Sequence, residues 1–325
     1  MRGFLTINLP MQTLAFIDLE VNPETRKVLD FGAANAGGET LHTTQKIDFE
    51  KFIADCNFIC GHNVCHHDAN YFNRPKESHL IDTLYFSPLM FPEKPYHKLL
   101  KDDKLITDEL SNPLNDAIKA KELFYDEINA FNSLNENYRQ ILVNLLFDAA
   151  EFHGFFEYVN AKPYGDTLSI IRNYFDGKIC ENAPLELLVK NNPVPLAYAL
   201  AIITTEDKAS IIPHWVHHQY PMVENVMRIL RNTPCHGCKY CDRILNPEIN
   251  LKKIFGFDGF RKYEGEPLQE KAVRAAVSNK SLLAIFPTGG GKSLTFQLPA
   301  LIAGQTERAL TVVISPLQSL MKSFL

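Results

Sequence analysis

Three groups of side chains in this chain have types and spacings suited to chemistry. Near the C-terminal end, the apolar run Leu283-Ala284-Ile285-Phe286 leads through Pro287 and Thr288 into Gly289-Gly290-Gly291-Lys292-Ser293. Glycines lack a Cβ, so backbone N–H groups can converge on a phosphate; Lys292 adds positive charge and the Ser293 hydroxyl can reach Mg²⁺. This is the pattern of a nucleotide phosphate cradle at the end of an apolar strand. Upstream, Cys235-His236-Gly237-Cys238-Lys239-Tyr240-Cys241 sets three cysteines at two-residue gaps, a spacing that wraps a tight turn around one soft metal ion. Towards the N-terminus, Asp18 and Glu20 follow the apolar run Leu14-Ala15-Phe16-Ile17. A strand projects residues two apart from one face, as a shared metal site requires, although the same pattern also suits a solvated strand edge.

The residues around the cradle narrow its meaning. Phe286 stands where the general G-x-x-x-x-G-K-[ST] pattern has its first glycine. The stretch Pro287-Thr288-Gly289-Gly290-Gly291-Lys292-Ser293-Leu294-Thr295-Phe296-Gln297-Leu298-Pro299-Ala300 resembles the P-loop of RecQ-type DNA helicases. The stretch Val312-Val313-Ile314-Ser315-Pro316-Leu317-Gln318-Ser319-Leu320-Met321 resembles that family's next motif. Phe255-Gly256-Phe257-Asp258-Gly259-Phe260-Arg261, followed by Gln269, is similar to its adenine-reading segment, with seven residues between Arg261 and Gln269 where the family usually has fewer. From about Asn250 onward the resemblance implies the start of a RecA-like P-loop motor domain that binds ATP with Mg²⁺. Its implied ligands are Gln269, Thr288, Gly289, Gly290, Gly291, Lys292 and Ser293. No Asp-Glu pair follows Lys292, and the family's Asp-Glu-x-His box, its later arginine motifs, its second motor domain and its winged helix have no counterpart. The segment therefore reads as a truncated motor that binds ATP weakly and neither hydrolyses it nor unwinds DNA.

A second resemblance covers the N-terminal part. Ile59-Cys60-Gly61-His62-Asn63 is followed by Asp68, then by Ile81-Asp82-Thr83-Leu84, and then by Asn115-Asp116-Ala117 with Leu123-Phe124. With Asp18 and Glu20, these follow the order of motifs in DnaQ-like, DEDD-family 3′-5′ exonucleases. The resemblance implies an RNase H-like α/β domain, a mixed sheet with helices, in which Asp18, Glu20, Asp68 and Asp116 hold two Mg²⁺ or Mn²⁺ ions. Two hard cations bound by oxygen ligands serve phosphodiester hydrolysis. The family usually carries a His five residues before the last Asp or a Tyr four before it; Ser111 and Asn112 hold those places here. His97, in Tyr96-His97-Lys98-Leu99-Leu100, is either a substitute base or a structural residue at the start of a Leu-rich helix. Nuclease followed by motor is similar to the Werner-syndrome type of helicase-nuclease. It implies DNA repair or recombination, with DNA as partner, single-stranded or bearing a 3′ end. The alternative is a catalytically degenerate nucleic-acid-binding or assembly module.

The cysteine run supplies three thiolates, so a metal site there needs a fourth ligand from Cys180, His236, His214, His217 or His218. Zn²⁺ fits such a turn; C-x₂-C-x₂-C also occurs in iron–sulfur sites, and a metal-free turn is the third possibility. Cys56, Cys60 and Cys65 read as buried thiols. Arg228, Arg231, Lys252-Lys253 and Arg261-Lys262 surround the run with positive charge, which suits either nearby nucleic acid or a solvated face. His214-Trp215-Val216-His217-His218 reads as a packing junction or a base-stacking patch.

The remaining features set the frame. The 325 residues carry a formal net charge of −5, with 46% hydrophobic and 22% charged residues, ordinary for globular domains and unlike a chain that binds nucleic acid through its whole surface. No stretch is apolar enough to span a membrane and no export signal opens the chain, so the expectation is an intracellular, cytoplasmic protein, nucleoid-associated if bacterial. Strands are expected at Leu14–Ile17, Val28–Ala34 and Phe58–Cys60, and a helix from Asn115 to Phe124. Short helices punctuated by prolines at 163, 184, 193, 195, 213 and 221 should fill the stretch from Tyr125 to Leu230. The expected organisation is an exonuclease domain over 1–125, a helical linker over 126–230, the Cys-rich metal-binding turn over 231–245, and the truncated motor over 250–325.

Overall fold

The computed structural model describes residues 13–99, 112–205, 211–287 and 289–314. Its first elements are strands β1 (Leu14–Val21), β2 (Val28–Asn35) and β3 (Thr40–Thr43), helix α1 (Lys46–Phe52), and strands β4 (Phe58–Gly61) and β5 (His79–Asp82). The five strands form one sheet in the order β3-β2-β1-β4-β5. β1–β2 and β2–β3 pair antiparallel, and β1–β4 and β4–β5 pair parallel. The β1–β2 connection turns on Asn22, whose side-chain oxygen accepts from the Glu24 and Thr25 amides, so a short polar loop suffices for the antiparallel pair.

Alternation along β1 and β2 divides the sheet into two faces. Ala15, Ile17, Leu19, Phe31 and Ala33 join Phe49 and Ile53 in one apolar core on the α1 side. The other face carries Phe16, whose ring lies 5.6 Å from that of Phe124, in the helix over Pro113–Ser133.

The helices after the sheet are α2 (Thr83–Met90), α3 (Pro113–Ser133), α4 (Glu136–Leu146), α5 (Ala150–Tyr158), α6 (Thr167–Tyr174), α7 (Leu185–Asn191) and α8 (Pro193–Thr204). Then come α9 (His214–Gln219), α10 (Met222–Arg231), α11 (Lys239–Ile244), α12 (Pro247–Phe255), α13 (Leu268–Val277) and α14 (Leu294–Thr306). Two compact units result: Met1–Tyr174 with Val189–Thr205, and Phe175–Leu188 with Glu206–Leu325. In the first, α8 is apolar on all sides, packs against α2 and α4, and ties to α2 through the Tyr198 hydroxyl, which donates to the Tyr85 carbonyl at 2.9 Å. No helix of the described residues is long and apolar enough to cross a membrane.

The expected strands over Val28–Ala34 and Phe58–Cys60 are present as β2 and β4, and the proline-punctuated stretch is helical, with α7 ending at Asn191 and α8 starting at Pro193. Three expectations change. The boundary at 125/126 falls inside α3, which continues to Ser133 because Phe124, Glu127 and Phe131 extend its buried face. Residues 126–230 do not stand apart as a linker but divide between the two units. The apolar run before the cradle forms no strand among the described residues: Leu283 and Ile285 are 87% and 80% exposed and have no ladder partner there. A strand needs neighbours for its N–H and C=O groups, and the equally exposed 310–314 stretch does not pair with it.

Candidate functional sites

In the first unit, the end of β1 that runs past β4 gathers the candidate carboxylates. β1 pairs with β4 only over Leu14–Phe16, which leaves Asp18, Leu19 and Glu20 beyond that partner. Asp18 lies opposite Gly32 on β2 and Glu20 opposite Asp30. Paired residues share a face, so Gly32 reports what Asp18 faces. A Cβ on Gly32 would stand 2.2 Å from the Leu114 nitrogen and 2.2 Å from the Pro113 carbonyl carbon. The first turn of α3 thus rests on the strand beside Asp18, and only glycine leaves room for it. Asp116 occupies that first turn, on the buried side of α3, and is 7% exposed.

Asp68 reaches the same strand at the Leu19 backbone. It opens a 3-10 turn over Asp68–Asn70, rather than a full helix, and is 2% exposed. Burial pushes its carboxyl above the usual range, opposed by the His67 imidazole at 2.9 Å and by the Leu19 backbone, between Asp18 and Glu20. The bond to Asp68 raises the His67 pKa, and Glu20 adds to this. The structure therefore brings Asp18, Glu20, Asp68 and Asp116 around one segment of β1. It does not draw them into a single ligand sphere: among the described residues the group whose ligand atoms converge within 4.8 Å is a set of cysteines.

His62 and His67 are neighbours of this site that sequence reasoning passed over. His62 follows β4, and its Nδ1 lies 2.9 Å from the Thr83 hydroxyl. Burial and the nearby His97 lower its pKa to about 4, against Asp116, so it is neutral at pH 7. Asp82 caps α2 and fixes the turn that carries His62, accepting from the Asn63, Cys65 and Leu84 amides at 2.8, 2.9 and 3.1 Å. His97 is buried against His62 and bonded to the Ser87 hydroxyl at 2.8 Å, and no helix starts at that residue among those described. Ser111 lies outside the described residues. Asn112 is the cap of α3, accepting from the Leu114 amide at 3.0 Å.

In the second unit, the phosphate cradle is tied to the expected adenine-reading segment. Gly289 and Gly291 have φ of 75° and 72°, and a Cβ on Gly291 would meet the Gln269 amide nitrogen at 2.6 Å. Gln269, on α13 and 2% exposed, accepts from the Arg261 backbone amide at 2.8 Å and donates to the Gly291 carbonyl at 3.0 Å. Arg261 donates from its guanidinium to the Gly289 carbonyl at 2.8 Å, and the Tyr263 hydroxyl donates to the Gly290 carbonyl. The longer spacing between Arg261 and Gln269 thus does not keep either from the loop, and Tyr263 is a third clasp that sequence reasoning missed. Lys292 donates to the Phe286 carbonyl at 3.0 Å, a contact that an entering phosphate would exchange for its own oxygen, and Ser293 stands at the N-cap position of α14 without a side-chain cap bond. Thr288 and Ser315–Met321 lie outside the described residues. A cavity of 1210 Å³ lined by Arg228, Ala276, Thr295, Phe296 and Glu307 touches the described cradle only at Lys292.

Also in this unit, the thiols of Cys235, Cys238 and Cys241 meet that of Cys180, with all four sulfurs within 4.8 Å of one another. Of the candidates for a fourth partner, the structure selects Cys180. His217 instead pairs with Glu224 at 3.2 Å. Much of the positive charge around the run is engaged locally: Arg231 donates to the Tyr240 hydroxyl at 3.1 Å, and Lys252 pairs with Asp258 at 3.0 Å.

Comparison with known proteins bears on the second unit. The DEAD/DEAH box helicase family matches residues 266–325. ATP-dependent DNA helicase Q5 of Rattus norvegicus is 44% identical over 82 residues, 25% of this chain and 8% of that protein. ATP-dependent DNA helicase hus2/rqh1 of Schizosaccharomyces pombe is 49% identical over 72 residues, 22% of this chain and 5% of that protein. ATP-dependent DNA helicase RecQ of Synechocystis is 42% identical over 75 residues, 23% of this chain and 14% of that protein. The chain spans only a small part of the length of these curated relatives. The C-terminal segment is thus similar to part of several ATP-dependent DNA helicases, RecQ among them. No solved structure matches the chain.

Proposed function

We propose that this chain processes DNA in repair or recombination, joining a two-metal 3′-5′ exonuclease in its first unit to the ATP-binding portion of a RecQ-type motor in its second. The observation that supports the nuclease reading is the placement of Asp18, Glu20, Asp68 and Asp116 around one end of β1, from three places in the sequence. An all-oxygen donor set fits Mg²⁺ or Mn²⁺. When bound, two such ions lower the pKa of a water and neutralise charge on the attacking and leaving oxygens of a phosphodiester. The protein's own part is positional. Asp18 and Glu20 share a strand face, His67 and the Leu19 backbone orient Asp68, and the seat at Gly32 sets the approach of Asp116. Neutral His62, bonded to Thr83, walls the Asp116 side and keeps positive charge away from it at pH 7. The sheet order, with its antiparallel β3-β2-β1 half and parallel β4-β5 half, supports an RNase H-like assignment.

A second reading, a degenerate module that binds nucleic acid without cutting it, is favoured by one observation. Asn112 spends its side chain on capping α3, and no base from that helix start is apparent among the described residues. Loss of a general base typically costs about 10²–10⁴-fold and leaves the metal contribution in place, so slow cleavage remains the expectation. The test is release of label from 3′-labelled single-stranded DNA with Mn²⁺, against an Asp116→Ala control. Release by the wild type alone supports the nuclease; intact 3′ ends after prolonged incubation, with DNA still retained, establish the binding module.

For the second unit the proposal is ATP binding at a cradle clasped by Gln269, Arg261 and Tyr263. ATP affinity unchanged by Lys292→Ala would overturn it.

A further inference from the structure

We infer that Cys180, Cys235, Cys238 and Cys241 hold a single tetrahedral zinc ion that clasps the segment Phe175–Leu188 to the turn before α11. The sulfurs of Cys180 and Cys235 stand 3.5 Å apart, those of Cys235 and Cys241 3.6 Å, and those of Cys238 and Cys180 3.9 Å. A zinc ion with zinc–sulfur bonds of about 2.3 Å at the centre of a tetrahedron sets sulfur–sulfur edges of about 3.8 Å. The observed separations match those edges. A four-iron cluster hangs each thiolate from a different corner of a cube and would hold the sulfurs much farther apart. A disulfide brings two sulfurs to about 2.0 Å, and no pair here approaches that.

The surroundings are those of a built site. Four thiolates around a divalent ion leave excess negative charge, and N–H donors aimed at sulfur disperse it. The Glu181 amide points at the Cys238 sulfur at 3.3 Å, and the Asn182 side-chain amide points at the Cys235 sulfur at 3.3 Å. The same Asn182 nitrogen lies 3.5 Å from the His236 carbonyl, so one side chain braces both the ligand and its turn. Cys180 is anchored in turn, its amide donating to the Leu230 carbonyl at 2.7 Å, and the Arg243 guanidinium donates to the Gly177 carbonyl at 3.1 Å. Cys180 and Cys238 are buried, where an uncompensated thiolate would be costly and a metal-bound one is not. The ion would bridge 55 residues of sequence, from Cys180 to Cys235, within the second unit.

The test uses the full chain, purified under reducing conditions. Elemental analysis should find one zinc per chain and no stoichiometric iron or sulfide, and Co²⁺ substitution should give the intense visible bands of tetrahedral cobalt thiolate. Cys180→Ser should lose the metal although it lies outside the C-x₂-C-x₂-C run, whereas Cys56→Ser should keep it. Asn182→Ala, which removes no ligand, should weaken zinc affinity by about 10–100-fold. Stoichiometric iron, a metal-free folded protein, or Cys180→Ser with full zinc would each overturn the inference. Should Cys180→Ser not fold, the wild-type metal content and cobalt spectrum still decide.

Discussion

Replacing Gly32 with alanine tests the placement of α3 on the sheet without assuming any activity. A Cβ there would sit 2.2 Å from the Leu114 nitrogen and 2.4 Å from the Pro113 carbonyl oxygen. Non-bonded atoms settle at about 3.5–4.0 Å, so the first turn of α3 must retreat by more than about 1 Å. Overpacking costs about 1–3 kcal/mol, and the upper end applies because the obstacle is backbone, which cannot swing aside as a side chain can. For a unit of this size, about 3 kcal/mol lowers the melting temperature by roughly 6–12 °C. Asp116 travels with the displaced turn, and a 1 Å misplacement in a catalytic site is worth about 10²-fold in rate. The matched control is Gly37→Ala, whose Cβ meets nothing closer than the Asn35 side-chain oxygen at 3.4 Å. Thermal unfolding, amide exchange in peptides spanning β2 and the start of α3, and 3′-end release from DNA are the assays. A Gly32→Ala protein that melts with the wild type and protects those peptides equally would refute the seating of α3 on Gly32.

Three further outcomes are expected. Glu127 is 0% exposed with neither carboxylate oxygen hydrogen-bonded, and burial, with the charges of Asp82 and Asp126, holds its pKa well above the usual 4.5. The folded chain then keeps a proton that the unfolded chain releases, so stability falls as pH rises above about 4.5; Glu127→Met should flatten that slope and stabilise the protein at pH 8 by about 1–3 kcal/mol, and a lower melting temperature at pH 8 would refute this. Asp18→Ala and Asp116→Ala should each remove nearly all metal-dependent cleavage; wild-type rates in either variant would remove that carboxylate from the site. Lys292→Ala should weaken ATP binding by about 10–100-fold, read by displacement of a fluorescent analogue, because a charged hydrogen bond to phosphate is lost; unchanged binding would place the nucleotide elsewhere.

How much of this was legible beforehand depended on whether the signal was local. The cradle could be read because glycines, lysine and serine act through a few consecutive backbone groups, and the paired carboxylates of Asp18 and Glu20 could be read because a strand has period two. The apolar runs of β1, β2 and β4 were visible for the same reason, while β3, with exposed and half-buried residues only, carried no apolar pattern. The misplaced boundary at 125 has a physical cause. Helix α3 continues on buried contacts made by Glu127 and Phe131, and a buried glutamate weakens the apolar period that would have announced them. The run before Gly289 shows the reverse: its apolar composition has strand character, but a ladder requires a partner.

Contacts between distant segments were the least legible. Nothing near Gly32 in sequence reveals that a helix eighty residues on needs its missing side chain; the pairing of β1 with β2 and the first turn of α3 create that requirement together. Cys180 is the sharper case. A lone cysteine carries no spacing signal and was one of five candidates for a fourth ligand, several of them histidines nearer in sequence to the cysteine run. The fold selects it because the Leu230 carbonyl, at the end of α10, holds the Cys180 backbone beside the turn that follows α10, leaving its sulfur 3.5 Å from that of Cys235. A ligand set split this way is assembled only when both segments are in place, so metal retention by the second unit should report its folding as directly as any spectroscopic probe.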